Sequence, residues 1–85
     1  MKELRIIGIL ITDRIKEAGR VQETLTKFAH IIHSRLGFHE VSEDVCSRTG
    51  VVILQLAGPP DECGKLEEEL GRIDGLEIQR MLFQY

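Results

Sequence analysis

Five side chains in this sequence have the chemistry to bind a metal ion or to act as nucleophiles: His30, His33, His39, Cys46 and Cys63. Proteins hold zinc with histidine and cysteine at characteristic spacings, and neither a CxxC nor an HExxH spacing occurs here. His33, His39 and Cys46 would converge only if a second strand brought the last two back beside the end of the first helix. Surface histidines and ordinary thiols are the favoured interpretation, so we expect no metal and no cofactor.

Catalytic groups are equally hard to assemble from the sequence. The three glutamates at positions 67–69 fall on the solvent side of a predicted helix rather than in a cleft. Ser42 and Ser47 have no nucleophile motif around them. Gly58 precedes a helix, as in phosphate-binding loops, but the two prolines that follow it remove N–H donors. We therefore expect no catalytic residues and no enzymatic activity.

Charged residues at the ends of predicted secondary-structure elements are better candidates for ligand binding, because a ligand or a neighbouring subunit could reach them there. Asp13 and Arg14 follow the first predicted strand, and Arg35 comes just before Gly37 at the end of the first predicted helix. A guanidinium holds carboxylate or phosphate through paired hydrogen bonds. These four residues are the candidate ligand-binding site, with the two arginines holding an anion at a subunit boundary. Local capping and surface ion pairs are the alternative interpretation.

The composition describes one small globular domain over residues 1–85, with 42% hydrophobic and 29% charged residues. A net charge of −3 argues against binding of nucleic acid, which usually needs a basic surface. No apolar run reaches the length of a membrane span, and the apolar core near the N-terminus is too short for a signal peptide. We expect a cytoplasmic protein whose two cysteines are reduced.

Two segments, residues 4–11 and 51–57, are apolar on both faces of the strand that each would form, since strand side chains alternate between faces. Between them, apolar residues recur at steps of three and four. This periodicity predicts a helix over about residues 18–36, and Gly37 is placed as its left-handed C-terminal cap.

The remaining elements follow from composition and turn residues. Residues 38–47 are less apolar and carry acidic side chains, as edge strands often do, and residues 48–50 would form the turn into the second apolar strand. Gly58 and two prolines end that strand and open a second helix, on whose apolar stripe Cys63 is a small core residue. A last strand begins at Leu76.

The predicted order is therefore β-α-β-β-α-β. Its economical packing is the α+β ferredoxin-like fold, a four-stranded antiparallel sheet with both helices on one face and the two strongly apolar strands at the centre. Two helices cover only one face of the sheet. We expect a second copy of the chain to cover the other, giving a homodimer or a dimer of dimers, with Ile7, Ile9 and Ile11 on the oligomer face.

Three stretches carry a resemblance to a known family: Ile6-Ile7-Gly8-Ile9-Leu10-Ile11 before Asp13-Arg14, then Arg35-Leu36-Gly37-Phe38, and Leu70-Gly71-Arg72-Ile73-Asp74-Gly75-Leu76 before the last strand. Through them the whole chain resembles a family of small bacterial proteins called iron-only hydrogenase system regulators. That family has an ACT-like fold related to the C-terminal domain of nickel-responsive repressors. The resemblance implies a small non-enzymatic regulator, acting with hydrogenase maturation or regulatory proteins through oligomerisation and small-effector binding.

The chain departs from two patterns found among proteins of this topology. Metal-sensing relatives use a His-x-His pair and a cysteine around the second and third strands, whereas residues 41–46 here read VSEDVC and contain no such pair. ACT domains that bind amino acids commonly carry a Pro-Gly turn after the first strand, where this chain has Thr12-Asp13-Arg14. A metal-binding sensor or metallochaperone stays open as the alternative function.

Overall fold

A computed structural model describes residues 2–41 and 46–85, together with their side chains other than those of residues 14, 38–41 and 46–48. Within these residues the elements follow the predicted order. They are β1 (Glu3–Ile11), α1 (Arg14–Lys27), a single 3-10 turn (Ala29–Ile31), β2 (Ile32–Val41), β3 (Cys46–Leu56), α2 (Pro60–Gly71) and β4 (Leu76–Gln84).

The strands form one antiparallel sheet in the order β2-β3-β1-β4, so the two strongly apolar strands lie at its centre. Both helices pack on the same face of this sheet, where residues of α1, α2, β1 and β3 make one hydrophobic core. The ferredoxin-like prediction is confirmed. Its basis is physical, because only the central strands have partners on both sides and lie fully under the helices.

The open face of the sheet is the opposite one from that predicted. Ile7, Ile9 and Ile11 point toward the helices and are buried in the core, so their placement on an oligomer face is wrong. Leu4 and Ile6 point the other way and are only half buried. The alternation by itself leaves two choices. The face with isoleucine at the alternate positions 7, 9 and 11 makes the better core. Gly8 lies on the other face, between Ile6 and Leu10, and leaves that face with less apolar area to bury.

The first helix begins and ends earlier than its periodicity predicts. Asp13 caps α1 by accepting a hydrogen bond from the Lys16 N–H at 3.2 Å, so the polar segment after it is helical. The helix then ends at Lys27. Val21 and Leu25, early in the predicted stripe, are indeed buried, whereas Leu36 is 61% exposed.

Residues predicted to be the last turns of that helix form β2 instead. Arg35 pairs with Leu54 and Gly37 pairs with Val52, so Gly37 is a strand residue and not a helix cap. The backbone groups of β3 need a partner along both edges, and this pairing overrides a helical periodicity that has no core left to bury.

The turn predicted at residues 48–50 also lies inside a strand. Gly50 belongs to β3 and pairs with Ile11 on one side and His39 on the other. Of the acidic residues in the edge strand predicted over residues 38–47, Glu40 belongs to β2, whereas Glu43 and Asp44 lie outside the described residues. The β2–β3 register shifts near both ends of β2, between Ile32 and Ser34 and between His39 and Val41, which marks bulges in this edge strand.

The turn between β3 and α2 agrees with its sequence prediction. Gly58 has a φ of +135°, and a Cβ there would lie 2.8 Å from Ile31 Cγ2, so both backbone conformation and space require glycine. The neighbouring Ala57 N–H donates to the Ile31 carbonyl at 2.7 Å. Pro60 then occupies the first turn of α2, where its missing N–H costs nothing. This turn fixes the end of the 3-10 segment against the start of α2.

Candidate functional site

A cleft of about 530 Å³ opens on the helix side of the sheet, between the first half of α1 and the β2–β3 pair. One wall is formed by Ala18 and Gly19 of α1, and the facing wall by Gly37 and Gly50. The lining also includes two polar residues, Gln22 and Arg35. Its apolar members are Ile11, Val21, Val51 and Val52.

The cleft forms where both layers carry small residues. Arg35 pairs with the core residue Leu54, the next helix-facing position on β2 is Gly37, which pairs with Val52, and Gly50 is the helix-facing position of β3 beyond Val52. Gly37 and Gly50 have no side chain to fill the space beneath α1, where the helix presents Ala18 and Gly19 beside Val21 and Gln22. A gap between sheet and helix follows.

Among the residues that the structure describes, Arg35 is the only charged one in the lining of this cleft. Its side chain is exposed, and among the described residues it has no ion-pair or hydrogen-bond partner. A free guanidinium beside apolar walls is suited to an anionic group.

The four residues of the predicted ligand site do not come together as a unit. Arg35 and Gly37 both line the cleft. Asp13 is not among its lining residues, and its carboxylate caps α1. The side chain of Arg14 lies outside the described residues. Sequence reasoning missed Gln22 and Gly50, which carry no motif and reach the cleft only through the register of β2 with β3.

The candidate metal ligands are spread over different elements. His30 lies in the 3-10 turn, with its Nε2 3.0 Å from Glu62 Oε2, while His33 is an exposed residue of β2. Both fall within the predicted first helix, whereas the structure places them in different elements. Within residues 2–41 and 46–85, no three metal-binding side chains cluster among those described. The side chains of His39 and Cys46 fall outside that set, so a metal-free fold stays a prediction.

A buried charge cluster at the other end of the sheet was not anticipated. Arg5 is only 9% exposed, and it donates hydrogen bonds to Glu67 of α2 and, at 3.1 Å, to Glu3. Arg80 of β4 approaches the second oxygen of Glu67 at 3.6 Å. Arg5 shares the core-facing parity of Ile7, and that was the one available sequence signal. The cluster joins α2 to the central strand.

Electrostatics in this cluster hold Arg5 in its charged form. Burial by itself lowers the pKa of the Arg5 guanidinium, but the hydrogen bond to Glu3 and the negative charge of Glu67 outweigh it and leave the pKa raised. A smaller concavity of about 300 Å³ adjoins Arg5 and Cys63. Its charged groups already bind one another, which makes it structural rather than receptive.

Cys63 is a buried core residue of α2, as predicted. Burial raises the pKa of its thiol, the positive charge of Arg5 opposes this, and nearby Glu3 and Glu67 add to the rise. Because the thiolate is the reactive form, the native thiol should be inert. In a Cys46→Ser variant, Ellman's reagent at pH 8 is expected to modify Cys63 on the order of a hundredfold more slowly than in urea.

The same raised pKa has a consequence for stability at alkaline pH. The thiol's contribution is fully present below the unfolded pKa of about 8.5 and is lost as pH rises through the higher folded value. Wild type should therefore lose more thermal stability above pH 9 than a Cys63→Ala variant does. Equal rates of Cys63 modification by Ellman's reagent in native and unfolded protein would contradict the assignment of Cys63 as a buried thiol with a raised pKa.

Comparison with solved structures first defines a class. TM-scores of 0.61 and 0.52 relate this chain to CPII from Thiomonas intermedia K12, a nitrogen regulatory PII-like protein, and to the divalent ion tolerance protein CutA1 from Ehrlichia chaffeensis. Identities are 11% and 18%, with 99% and 95% of this chain and 92% and 81% of those chains covered. These likenesses show the class of fold, which is ferredoxin-like.

A family model then identifies the chain more closely. The model of the TM1266-like family, described as a regulator of the iron-only hydrogenase system, matches residues 3–80, and the chain belongs to that family. Protein TM1266 from Thermotoga maritima is 27% identical over 98% of this chain and 100% of its own, with a TM-score of 0.81. Among curated proteins, none matches this chain. Within the described residues, no helix combines the length and apolar character needed to cross a membrane.

Proposed function

We propose that this chain is a non-enzymatic regulatory module that acts as a homo-oligomer in the cytoplasm, with the open face of the sheet as the interface between copies. Membership of a regulator family supports the regulatory role. Its targets are hydrogenase maturation or regulatory proteins, in keeping with the family's description. The observation that carries the oligomeric part is the composition of the open face.

The open face is apolar along the strands. It bears Leu4, Ile6 and Leu10 of β1, which are half buried by their neighbours, while Ile53, Met81, Phe83 and Leu36 are exposed by 37%, 53%, 47% and 61%. Cross-strand pairing places Ile6 beside Met81 and Leu4 beside Phe83, so the patch is continuous. A continuous exposed apolar patch on a soluble chain marks an interaction surface.

The charge of this face favours a second copy as the occupant. Glu77 is the one formally charged side chain that the strands direct to this face, among the side chains described. Two identical faces therefore meet without the like-charge repulsion that a charged surface would create. Ser34, Gln55 and Gln79 supply polar groups on the same face. A self-complementary arrangement of this kind suits a two-fold interface.

The dimensions of the face are sufficient. Four strands about 4.8 Å apart, each contributing some eight residues at roughly 3.3 Å per residue, give a projected area of roughly 500 Å² per copy. Two such faces reach the total of about 1,000 Å² that specific interfaces require. A domain this small also has little core of its own, so association adds to its stability.

The effector part of the proposal concerns the charged ends predicted from the sequence. A small anionic effector is held near Arg35 and Gly37, the two of the four predicted residues that line the cleft, and the end of β1 at Asp13 and Arg14 is the alternative location predicted from the sequence. The free guanidinium of Arg35 beside the cleft supports this placement. Nothing in the arrangement provides a nucleophile with a base among the described side chains, so the module binds and does not turn over.

Light scattering on the purified protein tests the oligomeric part directly. The chain mass is 9.7 kDa, and we expect two or four times this mass at micromolar concentration. The apolar area removed from water contributes about 25 cal/mol per Å² before the entropic cost of association is subtracted. A monomer mass at this concentration would overturn the proposal.

A further inference from the structure

We propose that the cleft between α1 and the β2–β3 pair binds one small monoanion with a flat apolar body, within a single copy of the chain. The anionic group sits on the Arg35 guanidinium, and the body lies between the helix at Ala18 and Gly19 and the sheet at Gly37 and Gly50. This names the ligand class of the effector site and rests on the proposed effector binding, but it does not require the oligomer.

The size and lining of the cleft define the ligand's body. A volume of about 530 Å³ falls within the range of roughly 300–1,000 Å³ typical of small-molecule sites. Such sites combine mostly apolar walls with a few polar groups that fix orientation, and here Arg35 and Gln22 are the polar groups. Apolar contact with Val21 and Val52 would supply most of the burial.

The charge of the lining limits the ligand to one negative charge. Arg35 provides a single positive charge, and no acidic side chain of the described part of the chain lines the cleft to oppose it. A second negative charge on the ligand would lack a partner and would meet a protein of net charge −3. A carboxylate and a phosphodiester each carry one negative charge, and both offer the oxygen geometry that a guanidinium binds through paired hydrogen bonds. Either headgroup fits this description.

The flatness of the ligand follows from the two walls. Gly37 and Gly50 add no side chain to the sheet wall beside Val52, and Ala18 and Gly19 add only a methyl group to the helix wall beside Val21. A planar ring could lie over these small residues in contact with Val21 and Val52, whereas a branched body would need more depth between the two layers. The glycine backbone also permits close approach of the ring.

The position of the cleft separates it from the proposed oligomer interface. Arg35 and Gly37 face the helices, on the opposite side of the sheet from Ile53. A variant that dissociates the oligomer through the open face therefore keeps the whole cleft. Binding and assembly can then be tested independently.

Titration of ¹⁵N-labelled protein with benzoate, the phosphodiester methyl phenyl phosphate and the neutral analogue benzamide tests this proposal. We expect benzoate and methyl phenyl phosphate, both monoanions, to shift the backbone amides of Gly19, Gly37 and Gly50 saturably at millimolar concentration. The tighter of the two identifies the headgroup as carboxylate or phosphate. Benzamide should bind at least about tenfold more weakly, because it lacks the charge that pairs with Arg35.

Three variants sharpen the test. Arg35→Met should weaken binding of the anions about tenfold or more. Arg20→Met is the control, because Arg20 is an exposed arginine of α1 that does not line the cleft, and it should leave binding unchanged. Gly37→Val should abolish binding by filling the cleft. The fold should tolerate it, since a Cβ at Gly37 comes no closer than 4.0 Å to its neighbours.

The outcomes divide cleanly. Ile53→Asp places a carboxylate on the open face and should give a monomer, and binding by this monomer supports a site within one copy. If wild type is itself a monomer, so that the oligomer proposal fails, binding by wild type supports the same conclusion. Binding by the oligomer but not by that monomer would overturn the placement within one copy. Equal affinity for benzamide and benzoate, undiminished binding by Arg35→Met, saturable shifts confined to other regions, or no shifts at all would each overturn the ligand class.

Discussion

Replacing Ile53 by aspartate is expected to convert the oligomer into monomers. Ile53 lies on a central strand in the middle of the open face and is 37% exposed. In a two-fold interface the substitution places two unpaired carboxylates in an apolar contact, where each loses its hydration without gaining a partner. We expect self-association to weaken at least about a hundredfold, measured by light scattering or sedimentation velocity across a range of concentrations.

A matched control separates the interface from a general effect of added charge. Ile15 is also an exposed isoleucine, 64% accessible, but it lies on α1 away from the open face. Ile15→Asp should keep the wild-type mass. Circular dichroism should show both variants folded, because neither side chain belongs to the core. An Ile53→Asp protein with the wild-type mass would exclude this face as the interface.

Replacing Arg5 by methionine is expected to lower the free energy of unfolding by about 2–3 kcal/mol, judged by the cost of breaking buried ion pairs. The change leaves Glu67, whose side chain is 17% exposed, with only the more distant Arg80 as a partner. Breaking a buried ion pair typically costs about 3–5 kcal/mol, and the residual contact with Arg80 brings the expected loss to the bottom of that range or just below it. For a domain of this size, the loss corresponds to a fall in Tm of roughly 8–24 °C.

A double-mutant cycle identifies the cause of that loss. Removing Glu67 as well, in Arg5→Met/Glu67→Leu, should recover part of the stability because no buried carboxylate is left unpaired. Arg72→Met is the surface control. Arg72 is 70% exposed and pairs with Glu68 one turn away, so its loss should change stability by no more than about 0.5 kcal/mol. An Arg5→Met variant as stable as Arg72→Met would show that the cluster contributes little.

The sequence alone determined the class of fold and much of its order. Residues 4–11 and 51–57 carry apolar side chains on both faces, a pattern that only central strands can use, and these became β1 and β3. Glycine and proline at positions 58–60 fixed the start of α2, because φ and the missing N–H are local properties. Such features were predictable since they depend on neighbours in the chain.

The candidate site was predicted only in part. Arg35 and Gly37 were chosen for standing at the end of a predicted helix, and they reach the cleft as residues of β2 instead. Asp13 has the local role of capping α1, which was the alternative interpretation of these charges. Gln22 and Gly50, which line the cleft together with Arg35, come from other elements, and no spacing in the sequence connects them to Arg35.

Three features depended on tertiary structure. The segment after Lys27 has the spacing of a helix, but pairing with β3 makes it a strand because hydrogen-bond partners for a central strand outweigh local periodicity. The choice between the two apolar faces of β1 was decided by which set the helices could bury more completely. Arg5 and Glu67 are 62 residues apart in the chain, and only the packing of α2 on β1 gives the buried charge its partner. Alternation and periodicity specify which side chains share a face, whereas the burial of that face is a property of the assembled layers.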